Sequence, residues 1–242
     1  MTLPTEDVGA GVYSPHMFPQ PVEGAVGPYD AGYLPRVEMR MQPVDEAITE
    51  PVAKLGGDPV WLEEPCWPLN PRTGEPLDFI GQIPVPVGLG DELRMAYLFL
   101  SYEDYETGGM DPEDGEAVLL IQPGGRIPCF ATIGPAGTKG RSLFAFDAEY
   151  EEVPVEFRIE MRPVSEEQER YLEKYGSFDV ENYIGGKADY RMWATAEAPW
   201  RFFFSLVCTG DTGPYFLNFA HGAGYAYLSP DGLEGRFGWD AA

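Results

Sequence analysis

The chain has 242 residues and carries 40 acidic against 16 basic side chains, a formal net charge of −24. With no Lys/Arg cluster to offset it, that balance excludes a nucleic-acid footprint and disfavours an anionic membrane, while basic protein partners stay open. The 29 glycines and 24 prolines argue against a helical bundle, and 14% aromatic content argues against disorder, so short strands around a sizeable core are expected.

Residues 1–35 are cut by Pro4, Pro15, Pro19 and Pro21 and show no periodicity. They read as a Pro/Gly-rich arm on the body, anchored by Tyr13, Phe18, Tyr29 and Tyr33. The first basic residue is Arg36, so a signal peptide is not expected, and no apolar run reaches membrane-spanning length. Cys66, Cys129 and Cys208 are odd in number and far apart, which fits reduced thiols and a cytoplasmic setting. Residues 36–242 read as a single β-rich domain.

Period-two alternation begins at Val37, Met39 and Met41, with polar residues between them, and predicts a half-buried strand. Residues 45–55 predict a short helix with Ile48, Val52 and Leu55 on one face. The stretch 54–82 is rich in Trp, Pro and turns and predicts a structured loop ending in a strand at 77–83. Strands follow at 95–102 and 117–122, the second apolar throughout and suited to burial on both faces. Between them, 103–116 is acidic and turn-like. Residues 134–140 (GPAGTKG) read as a flexible loop. Residues 153–161 predict a strand with Val153, Val155, Phe157, Ile159 and Met161 on one face.

Ser165 followed three residues later by Gln168 has capping-box spacing, with Glu166 and Glu167 in the first turn and Lys174 before Gly176. This predicts a helix over 166–175. Strands are predicted again at 201–208, 214–220 and 225–229, with turns at 210–213 and 229–232. The fold class is therefore α+β, predominantly antiparallel β, with few short helices.

Two stretches look alike. A Gly-Gly pair (Gly56-Gly57, Gly185-Gly186) leads to a Trp (Trp67, Trp200), an apolar strand and an aromatic strand. The segments compared are about 37–122 and 153–229, and they suggest a pseudo-symmetric duplication with a cleft at its axis.

No GxSxG, HExxH, Walker A or GxGxxG is present. No catalytic set is assigned. Cys208 with His221, oriented by Asp211, is the one formal nucleophile arrangement, set against the use of cysteine in an apolar strand as a small hydrophobe. No metal or cofactor is expected: Cys66 and Asn70 do not make a zinc knuckle, and Asp111–Glu116 lacks the spacing of a calcium loop. The binding candidates are Gly56, Gly57, Trp61, Trp67, Gln82, Trp193 and Trp200, whose aromatic members could line a groove or simply pack. Gln82, inside an apolar strand, needs a partner for its amide if buried, and the backbone of the Trp-rich loop is the expected one.

Lys54-Leu55-Gly56-Gly57, Trp67-Pro68, Pro76-Leu77 and Phe79-Ile80-Gly81-Gln82-Ile83, with the aromatic strand Tyr97-Leu98-Phe99, resemble the YwqG-like family of bacterial proteins. Gly210-Asp211-Thr212-Gly213 with Tyr215-Phe216 is similar to a turn and strand in that family's second half. The resemblance spans roughly 37–229 and is closest in the first half. The family has no assigned reaction, so it implies a fold alone. The same pattern is more distantly similar to the programmed-cell-death-2-like proteins, which chaperone a basic ribosomal protein, and this implies a cytosolic acidic binder. The expected function is a non-enzymatic binding or chaperone-like protein for a basic partner. The alternative is an enzyme or small-ligand binder with a site near the Trp-rich loops or Cys208/His221.

Overall fold

The computed structural model describes residues 36–85, 93–102, 111–175, 182–186, 200–207, 210, 212–219 and 222–240. The proposed arm at 1–35 lies outside them. In chain order the elements are β1 (Val37–Pro43), β2 (Lys54–Gly56), β3 (Pro68–Leu69), β4 (Asp78–Val85), β5 (Arg94–Leu100), β6 (Ala117–Gln122), β7 (Thr132–Ile133), β8 (Phe144–Phe146), β9 (Glu152–Pro154), β10 (Glu156–Pro163), α1 (Glu166–Tyr175), β11 (Tyr183–Ile184), β12 (Arg201–Val207), β13 (Ala223–Leu228) and β14 (Gly235–Asp240).

The architecture is predominantly antiparallel β. One ten-stranded sheet runs β14-β13-β12-β11-β1-β10-β2-β4-β5-β6, and β3–β7 and β8–β9 form small separate ribbons. The large sheet curls until its end strands, β6 and β14, lie against each other. Gly235 permits this approach, because a Cβ there would stand 2.7 Å from the Leu119 side chain.

β1 precedes β2 in the chain yet pairs with β11, and β10 precedes β11 yet pairs with β2. The two leading strands also pair with each other along their length, Val37 opposite Pro163 and Pro43 opposite Phe157. Their outer faces are charged, with Arg40 opposite Glu160 and Glu38 opposite Arg162. β4 and β12 each carry a one-residue irregularity, between Phe79 and Gly81 and between Phe202 and Phe204.

Strand alternation sorts the core into two layers. Ala96, Leu98 and Leu100 of β5 and Ala117, Leu119 and Ile121 of β6 face the inside of the curled sheet, with Phe203, Phe204, Leu206, Phe237 and Trp239 from the other end. Met95, Tyr97, Phe99, Val118 and Leu120 face outward and are covered by loops. Both β5 and β6 are thus buried on two sides, which is why β6 reads as an unbroken apolar run.

Helix α1 falls where the capping signal places it. The Gln168 amide donates to Ser165 Oγ at 3.2 Å, and the Glu169 amide donates to the Ser165 carbonyl at 2.8 Å.

Four expectations are corrected. Residues 45–55 form no helix: within them Ile48 N–H donates to the Glu156 carboxylate and Val52 N–H to the Glu50 carbonyl, and just before them Val44 N–H donates to the Glu156 carbonyl. The strand at 153–161 breaks at Val155, whose N–H turns to the Leu143 carbonyl, leaving Val153 43% exposed on β9. Described residues 214–219 form no strand. Tyr215, Phe216, Leu217 and Phe219 all bury as an irregular plug, with the Phe216 amide on Phe144 and the Phe216 carbonyl accepting from Tyr102 Oη. β12 pairs with β11 and β13, and beyond β13 lies β14, a strand the sequence reading did not anticipate.

Candidate functional site

The Trp-rich loop is held by polar side chains from three neighbouring strands. Gln82 of β4 is wholly buried; its Oε1 accepts from Val60 N–H at 2.8 Å and its Nε2 donates to the Val52 carbonyl at 2.9 Å. The expected bond from Gln82 to the loop backbone is therefore present. Tyr97 of β5 donates to the Val60 carbonyl at 2.8 Å and accepts from Leu62 N–H at 3.0 Å. Gln122 of β6 accepts from Leu62 and Glu63 N–H and donates to the Glu64 carbonyl at 3.0 Å. Burial pushes the Tyr97 hydroxyl up to about 12, with the Leu62 amide opposing and the Glu63 charge reinforcing it.

This scaffold seats the aromatic pair. Trp61 stacks on Tyr97 at 4.7 Å and on Phe99 at 5.9 Å, and Trp67 meets Phe99 edge-on at 5.3 Å. Trp67 is buried, and its Nε1 donates to the Leu77 carbonyl at 2.7 Å. Trp61 is half-buried, so it is the member of this pair that reaches the surface.

Gly56 and Gly57 serve the chain's own packing. Both have positive φ, 70° and 63°. A Cβ on Gly56 would stand 1.9 Å from the Val155 carbonyl oxygen, and one on Gly57 would stand 2.3 Å from the Glu156 carboxylate. The bare turn lets that carboxylate reach wholly buried Lys54, at 2.6 Å.

In the other half, Trp200 is buried against Arg236. The guanidinium lies 4.7 Å from the Trp200 ring and 4.7 Å from the Phe130 ring, and also reaches Glu234 at 2.8 Å and Glu113 at 3.5 Å. Burial pushes the Glu113 carboxyl up against the pull of Arg236. Trp193, Cys208, Asp211 and His221 lie outside the described residues.

A cleft of about 490 Å³ opens beside Trp67, between the ends of β4 and β5 and the segment 139–141. Asn70, Leu77, Asp78, Ser101, Lys139 and Arg141 are among its lining residues. Asp78 is 5% exposed. Its Oδ2 accepts from Arg141 Nη2 at 2.9 Å, and its Oδ1 meets Nε at 3.4 Å. Burial pushes the Asp78 carboxyl up, and Arg141 pulls it back without cancelling the effect. Arg141 also donates from Nη1 to Glu152 at 2.7 Å, and Lys139 pairs with Asp58 at 2.7 Å. Asn70 donates to Ser101 Oγ at 3.0 Å, while its own carbonyl accepts from the amides of Arg72 and Thr73.

The sequence reading missed Lys54, Asp78, Arg141, Glu156 and Arg236. The one signal available was a charge set at the head of an apolar strand, as at Asp78 and Arg236. Among the described residues no group of three His, Cys, Asp or Glu is placed to hold a metal. In the acidic turn, Asp111 and Asp114 accept from the amides of Glu113 and Glu116, and the Glu113 and Glu116 side chains meet Arg236 and Arg72. Cys66 and Cys129 are free thiols. No described helix is long and apolar enough to cross a membrane. No family model, curated protein or solved structure matches the chain.

Proposed function

We propose that this chain is a non-enzymatic, cytoplasmic binding protein for a basic protein partner. The observation that carries the reading is the disposition of charge. Among the described residues, Arg40, Lys54, Arg126, Lys139, Arg141 and Arg162 each sit against a carboxylate of the same chain, so these cations are spent internally. The excess acid faces outward. On the β8–β9 hairpin, Asp147 Oδ1 fixes the turn by accepting from the amides of Glu149 and Glu151, both at 2.9 Å. No described Lys or Arg pairs with Asp147, Glu149 or Glu151, and Tyr150 stands 72% exposed among them.

The resemblance to the YwqG-like family belongs to the same proposal, and so does a duplication. Two observations support the latter: the sheet order reads outward as β11-β12-β13-β14 on one side of the β1–β10 pair and as β2-β4-β5-β6 on the other, and the irregularities in β4 and β12 match. On this alignment Trp200 corresponds to Leu77 rather than to Trp67, and β13 corresponds to β5.

The test is capture of cytosolic proteins on the tagged full chain, washed at about 0.05 M and about 1 M salt, where charges are screened beyond about 3 Å. A stoichiometric basic protein released by salt is the expected result. Loss of that protein from a D147N/E149Q/E151Q variant would place it on the hairpin. Absence of any basic protein, or retention unchanged at high salt, overturns the reading.

A further inference from the structure

β1 and β10 hold equivalent places in the sheet. Val37 of β1 stands opposite Ile184 and Phe157 of β10 opposite Leu55, and each of those partners is followed by a Gly-Gly pair. Each leading strand has left the strands that follow it in the chain and joined those that follow the other. β1 takes both of its ladder neighbours, β10 and β11, from the second half, and its Met39 N–H donates to the Asn182 carbonyl at 2.8 Å. The link to β2, residues 44–53, forms no helix or strand. Glu156 anchors it, accepting from Val44 N–H through its carbonyl and from Ile48 N–H through its carboxylate. Pro43 and Leu55 face Phe157 from opposite flanks, two strand spacings or about 10 Å apart. Freed from Glu156, the link reaches roughly 35 Å, so its length does not confine β1 to its own molecule.

We propose that a second copy of this chain can supply β1, so that two chains exchange their leading strands reciprocally and form a closed dimer. Every ladder bond of β1 is kept in such a dimer, and only the link changes its path. The slot that receives β1 is the one that already accepts it across the two halves of a single chain. Seating within one chain competes as an effective concentration on the order of 1 mM, so the monomer prevails in dilute solution and the dimer forms when chains refold together near that concentration. The proposal is independent of the basic-partner reading, and either can fail alone.

Refolding the full chain from urea at about 1 mM and at about 1 µM tests it, with both samples brought to one concentration for size-exclusion chromatography. A discrete dimer at least about tenfold more abundant after the concentrated refolding is expected. It persists on dilution, because β1 leaves the sheet only by unfolding. Its identity is read from a disulfide across the β1–β10 ladder. Arg40 lies opposite Glu160, both exposed, at a Cα separation that a disulfide spans. In Arg40→Cys/Glu160→Cys, with the exposed Cys129 changed to Ser, oxidation of the dimer fraction joins two chains, and oxidation of the monomer fraction closes within one. Absence of a discrete dimer after both refoldings overturns the proposal. So does a dimer whose chains are joined no more often than in the Arg40→Cys variant alone. If the double variant does not refold, Glu38→Cys/Arg162→Cys, opposite in the same ladder, gives the same reading.

Discussion

Lys54 Nζ lies 2.6 Å from Glu156 Oε1, across adjacent strands and with the lysine wholly buried. Glu156 also accepts from the Ile48 amide at 3.1 Å, so one carboxylate ties β2, β10 and the 44–53 turn together. Removing one partner strands the other charge. Glu156→Ala is expected to cost about 3–5 kcal/mol, whereas the double change Lys54→Met with Glu156→Leu costs less than either single change. Urea denaturation of Glu156→Ala, of the two single changes and of the double change measures this.

The glycine turn beside that pair separates strain from collision. Gly74 has φ 77° and open space around its missing Cβ, so Gly74→Ala costs only the left-handed conformation, about 1–2 kcal/mol. Gly56 has a similar φ, but its Cβ would meet the Val155 carbonyl at 1.9 Å. Gly56→Ala is expected to exceed the Gly74→Ala loss by at least about 2 kcal/mol, or to prevent folding. Paired melting curves give the comparison.

The loop anchor predicts an alkaline weakness. Tyr97 ionises at about 12 in the folded chain against an ordinary 10.0, so the folded state favours its neutral form. That stability is present below pH 10 and is lost as pH rises toward about 12. Tyr97→Phe removes two hydrogen bonds, at a cost of about 1–3 kcal/mol near neutral pH, and should flatten the decline above pH 10. Stability measured from pH 9 to 12 tests both parts.

At the other end of the pH scale, Asp231 is held down to about 2 from 3.8, chiefly by its hydrogen bond from Arg126 and further by Ser229 and the Leu233 amide. Its stabilising effect is present above about pH 4 and is lost as pH falls through about 2. Asp231→Asn should therefore lower stability at pH 6 and leave a shallower decline between pH 4 and 2. Urea midpoints across that range are the measurement.

The strands legible in the sequence were those with a regular apolar signature: β1 by alternation, β6 by its continuous run, β12 by three consecutive phenylalanines. The helix was legible because Ser165 and Gln168 announce a cap locally. The failures have a common cause. Val44 and Ile48 send their amides to Glu156, more than a hundred positions away, so no local periodicity could report the path of this segment. Phe216 and Leu217 are apolar because they fill the interior as a plug, and composition alone does not separate a plug from a strand. β14 was hidden by Gly235 and Gly238, residues that lower strand propensity; Gly235 is there because the sheet ends must touch. At the candidate site, Gln82 was legible as a polar residue in an apolar strand. The pairing of Asp78 with Arg141 was not, since 63 residues separate them and no local pattern links the two.

The exchange of leading strands has a consequence for synthesis on the ribosome. β2 finds its second neighbour only when β10 has emerged, about 100 residues later. At about 5–20 residues per second that interval is roughly 5–20 s. Throughout it the nascent first half presents an open edge, the geometry that recruits foreign strands. A stall between residues 100 and 150 would lengthen that exposure, and a chain truncated there would leave the ribosome with β1 still lacking both of its neighbours.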